Sequence, residues 1–496
     1  MVEALKATLN SLEEKKRQTP TIVNSTSSAK SVGPIAAKLD YEALAKEYIE
    51  FTYKNPTIFH VVKTVGEELT AAGFSYVAER DSWADLKPGK YFTTRNGSSI
   101  TAFNVGKDWT PIKGCGIIGS HIDALTVLVK PNSTKNKVDG YELLGVANYA
   151  GSLSDVWWDR DLGIGGRIIV KEGDKIVTKL VDSTPHPIAH IPTLAPHFGT
   201  PSKGPFNPET QAVPVVGFSS EEPAPATDDE KLSPLYGKHS ITLLRYVSKL
   251  SGVAVKDINQ IDLQLYDIQK GAFGGLNNEF IFAPRIDDRI CSFAAYKALI
   301  DAEVDDESFS IVGLFDHEEV GSATRTGIKG GLIESVITRV AASKYFGASS
   351  PEDLKQIYSN TIILSADVNH LLNPNFSQVY LEHHKPVPNK GLTLAMDSNG
   401  HFATDQIGVA LLEELSRINN DNLQYFQIRN DSRSGGTIGP SISLQTGART
   451  IDLGIPQLSM HSIRATTGSK DVGLGIKFFK GFFKNWRATY DKYDDL

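Results

Sequence analysis

GCGIIGS, residues 114–120, is an apolar run that ends directly on His121-Ile122-Asp123. A short run of this kind, rich in β-branched residues and bounded by glycine, reads as a buried strand. The same design returns downstream. FSIVGLF, ending at Phe315, leads into Asp316-His317-Glu318-Glu319, and TIILSA (361–366) leads into Asp367-Val368-Asn369-His370. ARTIDLGI (448–455) continues to Met460-His461-Ser462, and FIFAPRI is followed by Asp287-Asp288-Arg289. Between these runs lie helical patterns such as Asp405 to Arg417. Strands alternating with helices predict an α/β fold with a mainly parallel sheet flanked by helices. In such sheets ligands bind outside the carboxyl ends of the strands, where these imidazoles and carboxylates fall.

Working outward, Leu44, Tyr48, Phe51 and Val61 to Leu69 predict helices before the first strand. From about Thr126 to Gly271 the texture changes to short β-type runs, among them Arg167 to Val170 and Lys175 to Val181 around Glu172-Gly173-Asp174. This predicts a β-rich domain, 126–271, inserted into a catalytic domain made of 39–125 and 272–496. Its proline-rich middle, Gly204 to Gly237, with the acidic run Glu221, Glu222, Asp228, Asp229 and Glu230, reads as a long exposed loop. Residues 1–38 form a third region. Val2, Leu5, Leu9 and Leu12 make the stripe of a short amphipathic helix, and Thr19 to Lys38 is a Ser/Thr/Pro/Ala-rich linker. A helix this short needs another copy or a partner to cover its stripe.

The chain has 496 residues, 40% of them hydrophobic and 22% charged, which suits a folded enzyme. Lys plus Arg total 51 against 58 Asp plus Glu, a formal charge of -7, so nucleic acid is not an expected partner. No apolar stretch reaches the roughly 20 residues of a membrane helix, and no secretory h-region is expected. Cys115 and Cys291 sit far apart in apolar runs, predicting buried thiols rather than a disulfide.

Any one His-x-Asp or Glu-Glu pair is ordinarily a solvated surface feature. Five runs all ending in such groups would be costly to bury without a cation among them. Imidazoles mixed with carboxylates, and no cysteine ligand, suit zinc, with cobalt or manganese as substitutes. The number of ligands predicts two metals, about 3.5–4 Å apart. Adjacent Glu318 and Glu319, read as extended chain, point to opposite sides, so one binds metal and the other handles protons. In His121-x-Asp123 the carboxylate accepts the second ring N–H.

GSHIDALTV, WWDRDLGIGGR, IPTLAPHFG, FAPRIDDRICSF, DHEEVGS, SADVNH, NDSRSGGTIGP and DLGIPQLSMHSIR together resemble the aspartyl aminopeptidase family of dizinc exopeptidases. The resemblance runs from about Asp40 to the C-terminus. It implies a metallo-aminopeptidase acting on peptides, with two Zn2+ per subunit. His121 and Asp367 would hold one zinc, Glu319 and His461 the other, and Asp287 would bridge them. Glu318 would be the general base, Asp123 would orient His121, and His197 would reach into a neighbouring subunit's site to steady the oxyanion. Family members form homododecamers in which the inserted domain makes dimer contacts. Acid-preferring relatives carry a lysine at the position of Ala395, so neutral, Leu-like N-terminal residues are expected in place of Asp or Glu. In vacuolar members a comparable N-terminal extension is a propeptide that self-associates and binds a selective-autophagy receptor, implying a vacuolar enzyme made in the cytosol. The alternatives are a cytoplasmic aspartyl aminopeptidase and a self-assembling cargo scaffold with structural metals.

Overall fold

The Gly116–His121 run is the middle strand of a nine-stranded sheet, flanked on both edges by other strands. The computed structural model describes residues 39–493 apart from Glu222 and Val304. The N-terminal stripe Val2, Leu5, Leu9 and Leu12 therefore lies outside the described residues. The main sheet has nine strands: β1 (Ser75–Tyr76), β2 (Gly89–Arg95), β3 (Ser99–Val105), β4 (Gly116–His121), β5 (Phe309–Phe315), β6 (Ile362–Ala366), β7 (Thr393–Met396), β8 (Gln424–Gln427) and β9 (Arg449–Gly454). They lie in the order β1-β2-β3-β5-β4-β6-β9-β7-β8.

The four central strands, β5, β4, β6 and β9, are parallel. Antiparallel joints occur between β2 and β3, β3 and β5, and β9 and β7. The sheet is thus parallel at its heart and mixed toward its edges, where short connections such as the one from Arg95 to Ser99 make antiparallel pairing the easy choice. From β4 the chain passes to β5 on one side and later to β6 on the other. That reversal of strand order opens a crevice at the carboxyl ends of these strands.

Period-2 alternation explains why the central runs are apolar throughout. Ile118, Val312, Leu364 and Ile451 face one core, and Ile117, Ile311 and Ile363 face another. Helices cover both faces, as a parallel sheet requires. On the first lie α1 (Tyr41–Lys54), α2 (Ile58–Ala71), α3 (Ile286–Asp301), α5 (Gln406–Asn419) and α6 (Asp471–Tyr490); on the second lies α4 (Leu332–Ala341). Helix α3 is apolar nearly all round because other elements enclose it, with Phe293, Ala294, Tyr296 and Leu299 fully buried. Full burial of each such large side chain contributes about 1.5–3 kcal/mol. Asp405 caps α5 by accepting the Gly408 N–H at 2.7 Å. Both cysteines are free and buried.

A five-stranded antiparallel sheet draws all its strands from residues 126–267, in the order Val146–Tyr149, Thr126–Val129, Ile258–Asp267, Leu162–Glu172, Lys175–Asp182. Its apolar residues gather in a third core around Val127, Trp157, Ile164 and Leu265. The hairpin at Glu172 to Lys175 turns on Gly173, at φ 61°. The proline-rich stretch 204–237 is more ordered than its composition suggests. Val215–Phe218 pairs with Tyr141–Leu143, and the acidic residues Asp228, Asp229 and Glu230 are tied to Lys231, Lys256 and Arg245. No helix among the described residues is long and apolar enough to cross a membrane.

Candidate metal centre

The crevice beside β4 collects the side chains that follow the central strands. His121 is the last residue of β4, Asp367 follows β6, and Glu318 and Glu319 lie in a 3-10 turn just after β5. Asp287 comes from the irregular first turn of α3, where φ and ψ depart from helical values and free the side chain to face the crevice. His461, at φ 63°, arrives from the loop after residues 456–458. Close backbone approach makes glycine necessary at position 454, since a Cβ there would meet the Asp367 carbonyl oxygen at 1.6 Å.

The geometry centres on Asp287. Its Oδ1 lies 3.3 Å from His121 Nε2 and its Oδ2 3.6 Å from His461 Nε2. His121 Nε2 is also 3.5 Å from Asp367 Oδ1 and 3.9 Å from Glu318 Oε2, while His461 Nε2 is 3.7 Å from Glu319 Oε2. Glu318 and Glu319 do diverge, but not because the chain is extended. A 3-10 turn rotates successive side chains by a third of a circle, which sends Glu318 toward His121 and Glu319 toward His461. His317, from the same DHEE string, turns away, its Nδ1 within 3.2 Å of Thr326 Oγ1 and Asp316 Oδ2.

Asp123 holds the turn in place. Its buried carboxylate accepts the Glu318 N–H on Oδ1 (3.1 Å), the Glu319 N–H on Oδ2 (3.2 Å) and the Tyr149 hydroxyl on Oδ2 (2.7 Å). Asp123 Oδ1 also lies 3.2 Å from His121 Nδ1. Burial alone would raise its pKa, but these hydrogen bonds and the His121 charge hold it below the usual carboxylate range. One aspartate therefore orients both a ring and a backbone turn.

These residues suit a pair of dications. Four carboxylates converge on two imidazoles, and Glu319 Oε1 is buried with no hydrogen-bond partner in the structure. Burial, together with repulsion from Asp367, Asp123 and Asp287, pushes Glu318 up to about 8 against the attraction of His121. Burial and nearby acids raise Glu319 and Asp367 as well. Burial disfavours a charged His121, yet Asp367, Asp123 and Asp287 overcome this and raise its proton affinity. Protons hold together what metal ions would hold by displacing them.

The surrounding cavity measures about 390 Å³. Its wall includes Val368, His370, Phe402, Met460 and the Ser434–Thr437 stretch of the glycine loop. Asp452, within β9, is not at the cluster. It is buried and accepts from Thr437 Oγ1 (2.6 Å) and the Ala403 N–H (2.5 Å), clamping two wall segments together. Burial pushes its pKa up to about 6. Ala395 is buried on β7 opposite Phe426, whose ring centroid is 5.0 Å from that of His370. His197 is exposed on the turn Pro196–Phe198 and lies outside the wall of this cavity.

Sequence reading missed Tyr149 and His370. His370 stood in the Asp367-Val368-Asn369-His370 string, but nothing there told a wall residue from a ligand. Tyr149 carried no signal, because its partner is 26 residues away across a strand pair.

A family model described as aminopeptidase I zinc metalloprotease (M18) matches residues 51–483. Vacuolar aminopeptidase 1 of Saccharomyces cerevisiae is 54% identical over 511 residues, spanning 100% of this chain and 99% of the relative. The crystal structure of prApe1 superposes with a TM-score of 0.89 at 57% identity, covering 92% of this chain and 96% of that one. The mApe1 dodecamer of S. cerevisiae gives 0.83 at 52% identity, covering 92% and 100%.

Proposed function

The chain belongs to the aminopeptidase I zinc metalloprotease (M18) family, and from that premise we propose that it removes neutral, leucine-like residues from the N-termini of peptides. It is a zinc-dependent aminopeptidase of that family. The observation that carries the reading is Asp287, with one oxygen toward the His121 side and the other toward the His461 side. His121 and Asp367 would hold one zinc, Glu319 and His461 the other, and Asp287 both. Zinc, when bound, lowers the pKa of water and polarises the scissile carbonyl.

The chain's own residues do the rest. Glu318, fixed by the Asp123–N–H hydrogen bond, takes a proton from the attacking water on its carboxylate and returns it to the leaving amine. Asp123 keeps the His121 ring oriented and the 3-10 turn closed. The wall formed by Val368, Phe402 and Met460 is apolar. Ala395 stands where, by the family resemblance, acid-preferring relatives carry a lysine, which supports neutral specificity. Initial rates on leucyl and aspartyl amides test this: the leucyl amide is expected to be faster by tenfold or more, and a faster aspartyl amide refutes it.

The reading extends to assembly. The mApe1 relative forms a dodecamer, and the exposed turn at His197 supports a role in a neighbouring subunit's site, with 126–271 as the inserted dimerisation domain. His197→Ala is then expected to lower turnover while the assembled mass and zinc content stay unchanged; full turnover refutes the role. The name of the vacuolar relative and the stripe Val2, Leu5, Leu9, Leu12 support delivery from cytosol to vacuole through a selective-autophagy receptor. A tagged chain that is cytosolic with and without residues 1–18 refutes it.

A further inference from the structure

Among the described residues, Lys329 is the one Lys or Arg lining the cavity of about 390 Å³ that holds the cluster. It lies exposed in the turn Ile328–Gly330, and its Nζ donates to the Gly321 carbonyl oxygen at 2.9 Å. No ion pair to it exists among the described residues, although many other surface lysines have one, such as Lys344 with Asp85 and Lys130 with Glu209. An ammonium has three donors and Gly321 takes one, so two N–H groups remain for an anion in the cavity. The carboxylates already there belong to the metal cluster, and dications would neutralise them.

The position of Lys329 says which anion. Gly321 closes the 3-10 turn that carries the base, with its own N–H donating to the Glu318 carbonyl oxygen at 2.8 Å. Glu318 hands its proton to the amine of the departing residue, so that residue sits beside Glu318, in the cavity that Gly321 and Lys329 also line. In a dipeptide, the departing residue carries its carboxylate two bonds from that nitrogen. One residue spans about 3.8 Å, and lysine's four-carbon stem is flexible.

Building on the aminopeptidase reading, we propose that Lys329 forms a subsite for the free α-carboxylate of the leaving residue, which makes dipeptides favoured substrates. The contact is a charge-assisted N–H to carboxylate hydrogen bond, present in dipeptides and absent from their amides.

The test uses the zinc-loaded full-length chain with Leu-Gly, Leu-Gly-amide, leucyl p-nitroanilide and glutamyl p-nitroanilide. Wild type is expected to favour Leu-Gly over its amide by about tenfold in kcat/KM, chiefly through KM, an effect of about 1.4 kcal/mol. Lys329→Gln is expected to bring that ratio close to one, and Lys329→Arg to preserve most of it. A wild-type ratio near one, or a ratio that survives Lys329→Gln, overturns the subsite while leucyl p-nitroanilide cleavage keeps the aminopeptidase reading intact. Lys329→Gln acting on the glutamyl anilide and not on the Leu-Gly ratio also overturns it, by assigning the cation to the first residue's side chain. Absence of hydrolysis on every substrate overturns both readings.

Discussion

Glu318→Gln is expected to lower turnover of a leucyl peptide by on the order of 1000-fold, within the range that a positioned general base contributes. The substitution preserves size and leaves the backbone N–H bonded to Asp123, so the turn that presents Glu319 stays closed. What is lost is the proton acceptor. Zinc content, measured by metal analysis, should match wild type, because His121, Asp287, Glu319, Asp367 and His461 are untouched. A rate within tenfold of wild type would remove Glu318 from its role. Loss of zinc along with activity would instead make it a ligand, which its 3.9 Å separation from His121 Nε2 leaves chemically reachable.

Removing zinc is expected to destabilise the protein, and increasingly so as pH rises. In the metal-free site, burial and neighbouring acids push Glu318 up to about 8 and raise Glu319 and Asp367. A carboxyl whose folded pKa lies above its unfolded value binds more protons folded than unfolded between the two. Stability therefore falls as pH climbs from about 5 through about 8, and the full penalty is present above that. The cost is on the order of a few kcal/mol, since several coupled groups share it. Thermal unfolding of chelated and zinc-loaded protein from pH 5 to 9 measures this. The gap in Tm should widen with pH, and a gap that narrows or stays constant would mean that the clustered carboxylates are not what zinc holds together.

The clustered residues were legible because each follows an apolar run, and burial of both faces of a parallel sheet makes such runs stand out. His121, Asp367 and the Glu318-Glu319 pair need only a strand to reach the crevice. Asp287 was readable for the same reason, although it enters from the first turn of a helix. Asp452 sat on an equally clear strand but turned to clamp Thr437 and Ala403. His317 belonged to the same string as Glu318 and faces Thr326 instead. Which side chain of a motif faces inward depends on local turns, and the DHEE turn is 3-10 rather than extended.

Apolar periodicity and the order of strands and helices are local properties of the chain, so they by themselves determined an α/β protein with its chemistry at strand ends. The antiparallel joints, the Tyr149–Asp123 bond and the position of Lys329 beside Gly321 come from contacts between segments distant in sequence. Only the tertiary structure decides these, because hydrogen bonds and charge pairs form between atoms brought close by packing, and spacing along the chain carries no record of that distance.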